Sequence, residues 1–154
     1  SGSGRHARYF LALGHGIVAI DRDTGPLADL ESQVEIIQAD LEEGAASAVA
    51  WGGRTFAGVV VCNYLHRPLM PYLLDAVVPG GILIYETFAR GNERHAKPRN
   101  PDHLLEPGEL LSLVGMRFRV IAYEHGLIVG PRVVQRIAAV NATGNEALSE
   151  LRPG

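Results

Sequence analysis

A single cysteine, Cys62, stands among 154 residues, so no disulfide can form within the chain. The fold must therefore be held by its core, and a reducing, cytoplasmic setting is expected. Cys62 lies in an apolar run and reads as a small core hydrophobe. No apolar run reaches the roughly 18 residues of a membrane span, and no signal-peptide pattern is present, so no membrane association is expected. A basic excess is missing too. With 14 Lys and Arg against 17 Asp and Glu, the net charge is −3, which argues against nucleic acid as a partner. Metal-ligand spacing is absent: His95 and His103 stand eight apart with no cysteine partner, and no metal site is expected. Asn141-Ala142-Thr143 matches a glycosylation acceptor, which a cytoplasmic protein leaves idle.

What is present is an ordinary globular balance, 47% hydrophobic and 20% charged, long enough for one domain with its own core. The expected division is a domain over 1–140 and a tail over 141–154.

The opening 23 residues carry the first functional signal. Gly2 and Gly4 allow a tight turn and close ligand approach. Ala7, Phe10, Leu11 and Gly14 then fall at i, i+3, i+4 and i+7, one face of a helix, and Gly14 and Gly16 supply a stop. Residues 17–20 (IVAI) form a short apolar run typical of a strand buried on both faces, followed by Asp21. A glycine turn opening a helix, with an acid about 20 residues on, is the arrangement that holds nucleoside-bearing cofactors. Such a turn normally follows a strand, and none precedes Ser1. The chain is accordingly read as N-terminally truncated, with a linker scar at residues 1–4 as the other reading.

Beyond Asp21, Thr24 is placed to cap a short helix running from Pro26 to Leu30. Residues 34–39 form a strand ending at Asp40, and 41–50 a short helix or turn. Residues 57–62 (AGVVVC) are the most strand-like run in the chain, followed by Asn63, Tyr64 and His66. Residues 68–78 have helical spacing, Pro79-Gly80-Gly81 stops them, and 82–85 (ILIY) form a further buried strand ending at Glu86. A long polar stretch, 89–106, precedes a helix over 107–114. Residues 118–123 and 133–140 form an antiparallel pair. Strands alternating with helices imply a mostly parallel α/β sheet covered on both faces, with ligands at the carboxyl ends of its strands. Those ends carry Asp21, Asp40, Asn63 to Arg67, and Glu86 to Phe88.

These pieces together resemble the class I S-adenosylmethionine-dependent methyltransferases. The turn Ser1-Gly2-Ser3-Gly4-Arg5 resembles the end of that family's first motif. Asp21, Asp40 and the run Val59-Val60-Val61-Cys62-Asn63-Tyr64 match later strand ends. Val78-Pro79-Gly80-Gly81-Ile82-Leu83-Ile84 resembles the family's Pro-Gly-Gly turn into its fifth strand. Within the family the chain is most similar to small bacterial enzymes near the tellurite-resistance methyltransferases. The resemblance implies a Rossmann-like, doubly wound sheet of order 3-2-1-4-5-7-6 with an antiparallel C-terminal hairpin, its first strand absent from this sequence. It also implies that Gly2, Ser3 and Gly4 pack against the methionine part of S-adenosylmethionine, and that Asp21 binds the ribose diol with Arg22 lining the adenosine. Asp40 accepts from the adenine amino group, the Leu41 amide reaches the ring, and Asn63 lies near the transferred methyl. Arg5 is placed to reach the cofactor's carboxylate.

The implied activity is methyl transfer to a small-molecule acceptor by in-line displacement at the sulfonium methyl, with S-adenosylhomocysteine as product. Positioning supplies much of that effect, and a base is needed only when the nucleophile arrives protonated. His66 and Tyr64 are the candidate catalytic residues, His66 because an imidazole suits proton transfer at physiological pH and Tyr64 otherwise as a pocket wall. Glu86 reads as a structural hydrogen-bonding group at its strand end. Arg67, Arg90, Arg94, Lys97 and Arg99 either bind an anionic substrate, close as a lid, or form a solvated loop. A homodimer is left open. Two other readings remain. An NAD(P)-dependent oxidoreductase accounts for Gly2, Gly4, Ala7 and Asp21 but not for Asp40, the Pro79-Gly80-Gly81 turn or the hairpin. A non-catalytic or truncated nucleoside-binding domain accounts for the missing strand.

Overall fold

The computed structural model describes residues 2–42 and 50–143. Most of the segment expected as a helix or turn over 41–50, and most of the tail over 141–154, lie outside the described residues. The chain divides into two compact units, Ser1–Arg54 with His66–Tyr72, and Thr55–Leu65 with Leu73–Gly154.

In the first unit, α1 (Arg5–Ala12) leads to β1 (Val18–Asp21), a 3-10 helix (Gly25–Leu30) and β2 (Glu35–Gln38). The two strands pair in parallel, Ala19 opposite Ile36 and Asp21 opposite Gln38. Their core is Ala7, Ala19, Leu27, Leu30 and Val34, with Leu11, Ile17 and Ile36 packed against it. Of the helical face read from the sequence, Ala7 and Leu11 pack on this core, Phe10 is not part of it, and Gly14 lies beyond the helix end. Two expectations need correction. Of residues 17–20 only Ala19 is buried, so this strand is not enclosed on both faces. Thr24 makes no side-chain cap; the Asp23 carboxylate accepts from the Gly25 N–H at 3.1 Å in its place. The helix there is 3-10 and only six residues long, started by Pro26.

The second unit holds a four-stranded sheet in the order β3-β4-β6-β5. Here β3 (Phe56–Cys62) runs parallel to β4 (Val77–Phe88), and β6 (Arg132–Asn141) is antiparallel to both β4 and β5 (Phe118–Ile128). The antiparallel C-terminal hairpin is as expected, and both its strands are longer than the sequence pattern suggested. The helix expected over 68–78 is instead a 3-10 turn (Arg67–Leu69) followed by α2 (Met70–Asp75). It ends early because Val77 is taken into the sheet opposite Phe56, and the Phe56 N–H donates to the Ala76 carbonyl at 2.7 Å.

Pro79-Gly80-Gly81 does not stop a helix. It lies inside β4, where the pairing passes from Phe56–Val77 to Gly58–Ile82. There β4 advances five residues (82 − 77) while β3 advances two (58 − 56), so the segment forms a wide bulge. Proline suits such a place because it has no N–H to offer a ladder. Gly81 is required by close packing: a Cβ there would stand 2.9 Å from the Val78 carbonyl and 3.0 Å from that of Ala57.

The strand over 82–85 alternates. Leu83 and Tyr85 are fully buried, whereas Ile82 and Ile84 are 42% and 37% exposed. On the covered face lies α3 (Glu109–Val114), with Leu110 and Val114 buried and the Leu110 N–H donating to the fully buried Gln135 of β6 at 3.3 Å. Gln135 also accepts from the Tyr123 hydroxyl at 3.1 Å and donates to the Glu106 carbonyl at 2.7 Å. Cys62 is half-buried at the end of β3 rather than a core residue.

Asn141 shows why the glycosylation match is idle in this fold. It is 1% exposed, and its side-chain amide donates to the Val77 carbonyl at 2.7 Å. Its Oδ1 accepts from both the N–H and the hydroxyl of Thr143. Asn141→Ala strands a buried carbonyl and is expected to cost about 1–3 kcal/mol in urea unfolding. An unchanged midpoint would show that this amide contributes nothing to the junction of β4 and β6.

Candidate functional site

The first unit gathers the glycine turn and the two strand-end acids. Gly4 precedes α1 in the left-handed region at φ 73°, which a side chain would resist. There is also no room for one: a Cβ would lie 2.6 Å from Leu27 Cδ2 and 2.7 Å from Arg8 Nη1. Arg8 pins the turn. Its guanidinium donates to the Ser3 carbonyl and, at 2.7 Å, to Asp29 of the following 3-10 helix. The Asp29 carboxyl is held below its ordinary range chiefly by that bond.

Asp21 is the last residue of β1, half-buried, and its Oδ2 accepts from the Gly2 N–H at 2.8 Å. Its Oδ1 accepts from the Asp23 N–H at 3.1 Å. Burial by itself would raise this carboxyl, and the N–H groups of Gly2 and Asp23 act in the other direction by stabilising its charged form. The chain thus brings the glycine turn directly onto the acid 19 residues away.

Asp40 follows β2. Its Oδ1 accepts from the Glu42 N–H at 3.0 Å, and its other oxygen stands 3.6 Å from the exposed Arg22 guanidinium. The Gln38 side chain donates to the Arg22 carbonyl at 3.1 Å, tying the two strand ends together. Leu41 is half-buried, and Ser3 and Arg5 are exposed. His66 is half-buried in extended backbone at the start of the 3-10 turn, and its side chain makes no cap.

Asn63 and Tyr64 belong to the second unit. Asn63 adopts the left-handed region at φ 53°, and its N–H donates to the Glu86 carbonyl at 2.9 Å. A non-glycine residue there marks a turn that tolerates little substitution. The Tyr64 carbonyl accepts from the buried Tyr85 hydroxyl at 2.9 Å, which holds the chain just after β3. Glu86 pairs across the sheet with Arg136 at 3.2 Å, and Arg136 also reaches Glu124 at 3.3 Å. Glu86 thus stands in an ion pair, where a structural hydrogen bond was expected. Among the described residues no group of His, Cys, Asp and Glu is arranged to hold a metal, and no helix is long and apolar enough to cross a membrane.

Sequence reasoning missed Arg8, Gln38, Tyr85 and Gln135. Arg8 had a usable signal, since it stands four residues after Gly4 on one helical turn. The others act across the sheets and carry none.

No family model matches the chain, and no curated protein sequence does. Solved structures do. TehB from Haemophilus influenzae superposes at TM-score 0.71 with 14% identity, covering 91% of this chain and 55% of TehB. The chain thus spans just over half the length of that protein. The glycopeptide N-methyltransferase MtfA, solved with S-adenosyl-L-homocysteine, gives 0.57 with 20% identity over 91% of this chain and 79% of its own. The chain has the class I methyltransferase fold. The [4+2]-cyclase SpnF has it as well, at TM-score 0.65 and 13% identity, over 93% of this chain and 72% of its own. At such identities the likeness speaks to the fold, and the chemistry must be argued from the site.

Proposed function

We propose that this methyltransferase-fold chain binds S-adenosylmethionine and transfers its methyl group to a small molecule. The observation that carries the reading is the ionised Asp21 at the end of β1, hydrogen-bonded to the Gly2 amide of the turn that opens α1. A strand-end carboxylate beside a glycine turn suits a ribose diol. The antiparallel β6 between β4 and β5 separates this fold from the all-parallel dinucleotide-binding sheet, which weakens the NAD(P) reading. Within the second unit, the order β3-β4-β6-β5 supports the 4-5-7-6 part of the implied order.

Within this proposal Gly2, Ser3 and Gly4 face the methionine part and Arg5 its carboxylate. Asp21 holds the ribose, Arg22 lines the adenosine, Asp40 and the Leu41 amide hold the adenine, and Asn63 stands near the methyl. The bound nucleoside supplies an electrophilic sulfonium methyl. The chain's own contribution is orientation, with His66, and next Tyr64, as candidate base for an acceptor that arrives protonated. The 3.6 Å approach of Arg22 to Asp40 already links two of these positions.

Calorimetric titration of the chain with S-adenosylhomocysteine and with NAD tests the reading. The first is expected to bind in the micromolar range, about −8 kcal/mol, and NAD at least about 100-fold more weakly. Tighter binding of NAD would overturn the proposal. The SpnF likeness favours a second reading, in which this fold serves a reaction other than methyl transfer. Binding of S-adenosylhomocysteine with no methyl transfer to any of a panel of small-molecule acceptors would favour it.

A further inference from the structure

The stretch over 89–106 is not the loose polar loop its composition suggests. Both of its ends are hydrogen-bonded: the Ala89 N–H donates to the Val133 carbonyl, the Arg90 N–H to the Leu105 carbonyl, and the Leu105 N–H to the Phe88 carbonyl, all at 2.9–3.0 Å. Its middle is anchored by Asn92, which is 0% exposed. The Asn92 Oδ1 accepts from the Val133 N–H at 3.1 Å, and its amide donates to the carbonyls of Ala96 at 3.3 Å and Pro98 at 3.1 Å. Leu104 and Leu105, near its C-terminal end, are fully buried. Short 3-10 turns, Asn92–Arg94 and Pro101–His103, complete the scaffold.

On this anchored scaffold, residues 94–99 (RHAKPR) carry Arg94, His95, Lys97 and Arg99 and no acid. All four side chains are exposed. Two of the nearby acids have partners outside residues 94–99. Glu93 accepts from the Gly91 N–H at 2.8 Å, and Glu106 pairs with Arg90 at 2.7 Å. Among the described residues Arg94, Lys97 and Arg99 form no ion pair. Arg94 also acts on the neighbouring Glu93 carboxylate, and cations carried on an anchored backbone favour an anion more than those on a mobile one, because less backbone freedom is lost on binding. Their place in the second unit matters too. The stretch leaves the carboxyl end of β4, the end at which the Asn63 N–H meets Glu86, and ligands of open α/β sheets bind at that end.

We propose that residues 94–99 form an anion-binding element that recognises a carboxylate or phosphate on the small molecule receiving the methyl group. The acceptor's role rests on the methyl-transfer reading; the anion site does not. A small anion fits better than a nucleic-acid backbone. Three permanent cations in six residues match one anionic group, whereas nucleic-acid binding of useful affinity neutralises on the order of 6–10 phosphates, and this chain's net charge is −3.

The test is calorimetry on the full chain at low ionic strength with sodium phosphate, sodium succinate and a short single-stranded RNA. The same titrations are run on the triple variant Arg94→Ala, Lys97→Ala, Arg99→Ala, whose exposed positions leave the Asn92 anchor intact. Phosphate or succinate is expected to bind in the millimolar range and to weaken at least about tenfold in the variant, with S-adenosylhomocysteine binding unchanged. Phosphate alone or succinate alone would name the anion. No binding of either, equal binding by the variant, or RNA binding tighter than both would overturn the proposal. A lost anion isotherm alongside a chain that never binds S-adenosylhomocysteine would sustain the anion site and sink the methyl-transfer reading.

Discussion

Replacing Asp21 with alanine is expected to weaken S-adenosylhomocysteine binding about 100-fold in calorimetry. Two hydrogen bonds from ribose hydroxyls to a carboxylate are worth about 1.5–3 kcal/mol each, and even a partial loss of both reaches that factor. The substitution also frees the Gly2 and Asp23 amides that the carboxylate now holds, so the turn loses an anchor at the same time. Asp21→Asn separates the two effects. An amide oxygen still accepts from a backbone N–H, but the charge is gone, so affinity should fall by less than in the alanine variant while the turn persists. The pH dependence has a definite sign. The N–H groups of Gly2 and Asp23 favour the charged carboxyl, so its ligand-binding form is present at neutrality and is lost as pH falls into the acid range. Wild-type-like affinity in Asp21→Ala, with circular dichroism showing an unchanged fold, would remove the site argument.

Asn92→Ala is the second large effect expected. The variant leaves the half-buried Val133 N–H without its acceptor and the Ala96 and Pro98 carbonyls without their donor. Three lost hydrogen bonds at about 1 kcal/mol each together amount to about 3 kcal/mol. For a chain of this size that is about 10 °C in Tm. The same substitution releases the scaffold beneath Arg94, Lys97 and Arg99, so phosphate or succinate binding should weaken although no cation has been removed. Hydrogen exchange would read the loosening directly, with faster exchange at the Val133 and Ala96 amides. A variant with native exchange and native Tm would show that Asn92 does not anchor the loop.

The legible part of this chain was local. Asp21 is found at a strand end because apolar residues before it form β1 and an ionised group cannot follow them into a core. The Gly2 and Gly4 turn is legible because only glycine enters the left-handed region without strain. The β5–β6 pair was legible from two apolar runs with the turn residues Gly130 and Pro131 between them, whereas Gly126, expected in the same turn, lies within β5 opposite Val134. Thr24 misled because a capping residue type was present but a neighbouring acid, Asp23, took the first N–H. The helix over 68–78 misled because Val77 satisfies a helical period and a strand equally well, and its pairing with Phe56 is a long-range choice.

The sequence by itself determined the alternation of elements, the acids at the ends of β1 and β2, and the resemblance those positions carry. Each depends on neighbours within a turn or a strand. Only the tertiary structure decided that Asp21 accepts from Gly2, that Pro79-Gly80-Gly81 is a bulge within β4, and that Asn92, Gln135 and Asn141 are buried hydrogen-bonding hubs. Polar side chains in apolar strands look like solvent-facing positions until their partners are known. Those partners come from residues up to 64 apart in the chain, as with Asn141 and Val77, where no local pattern reaches.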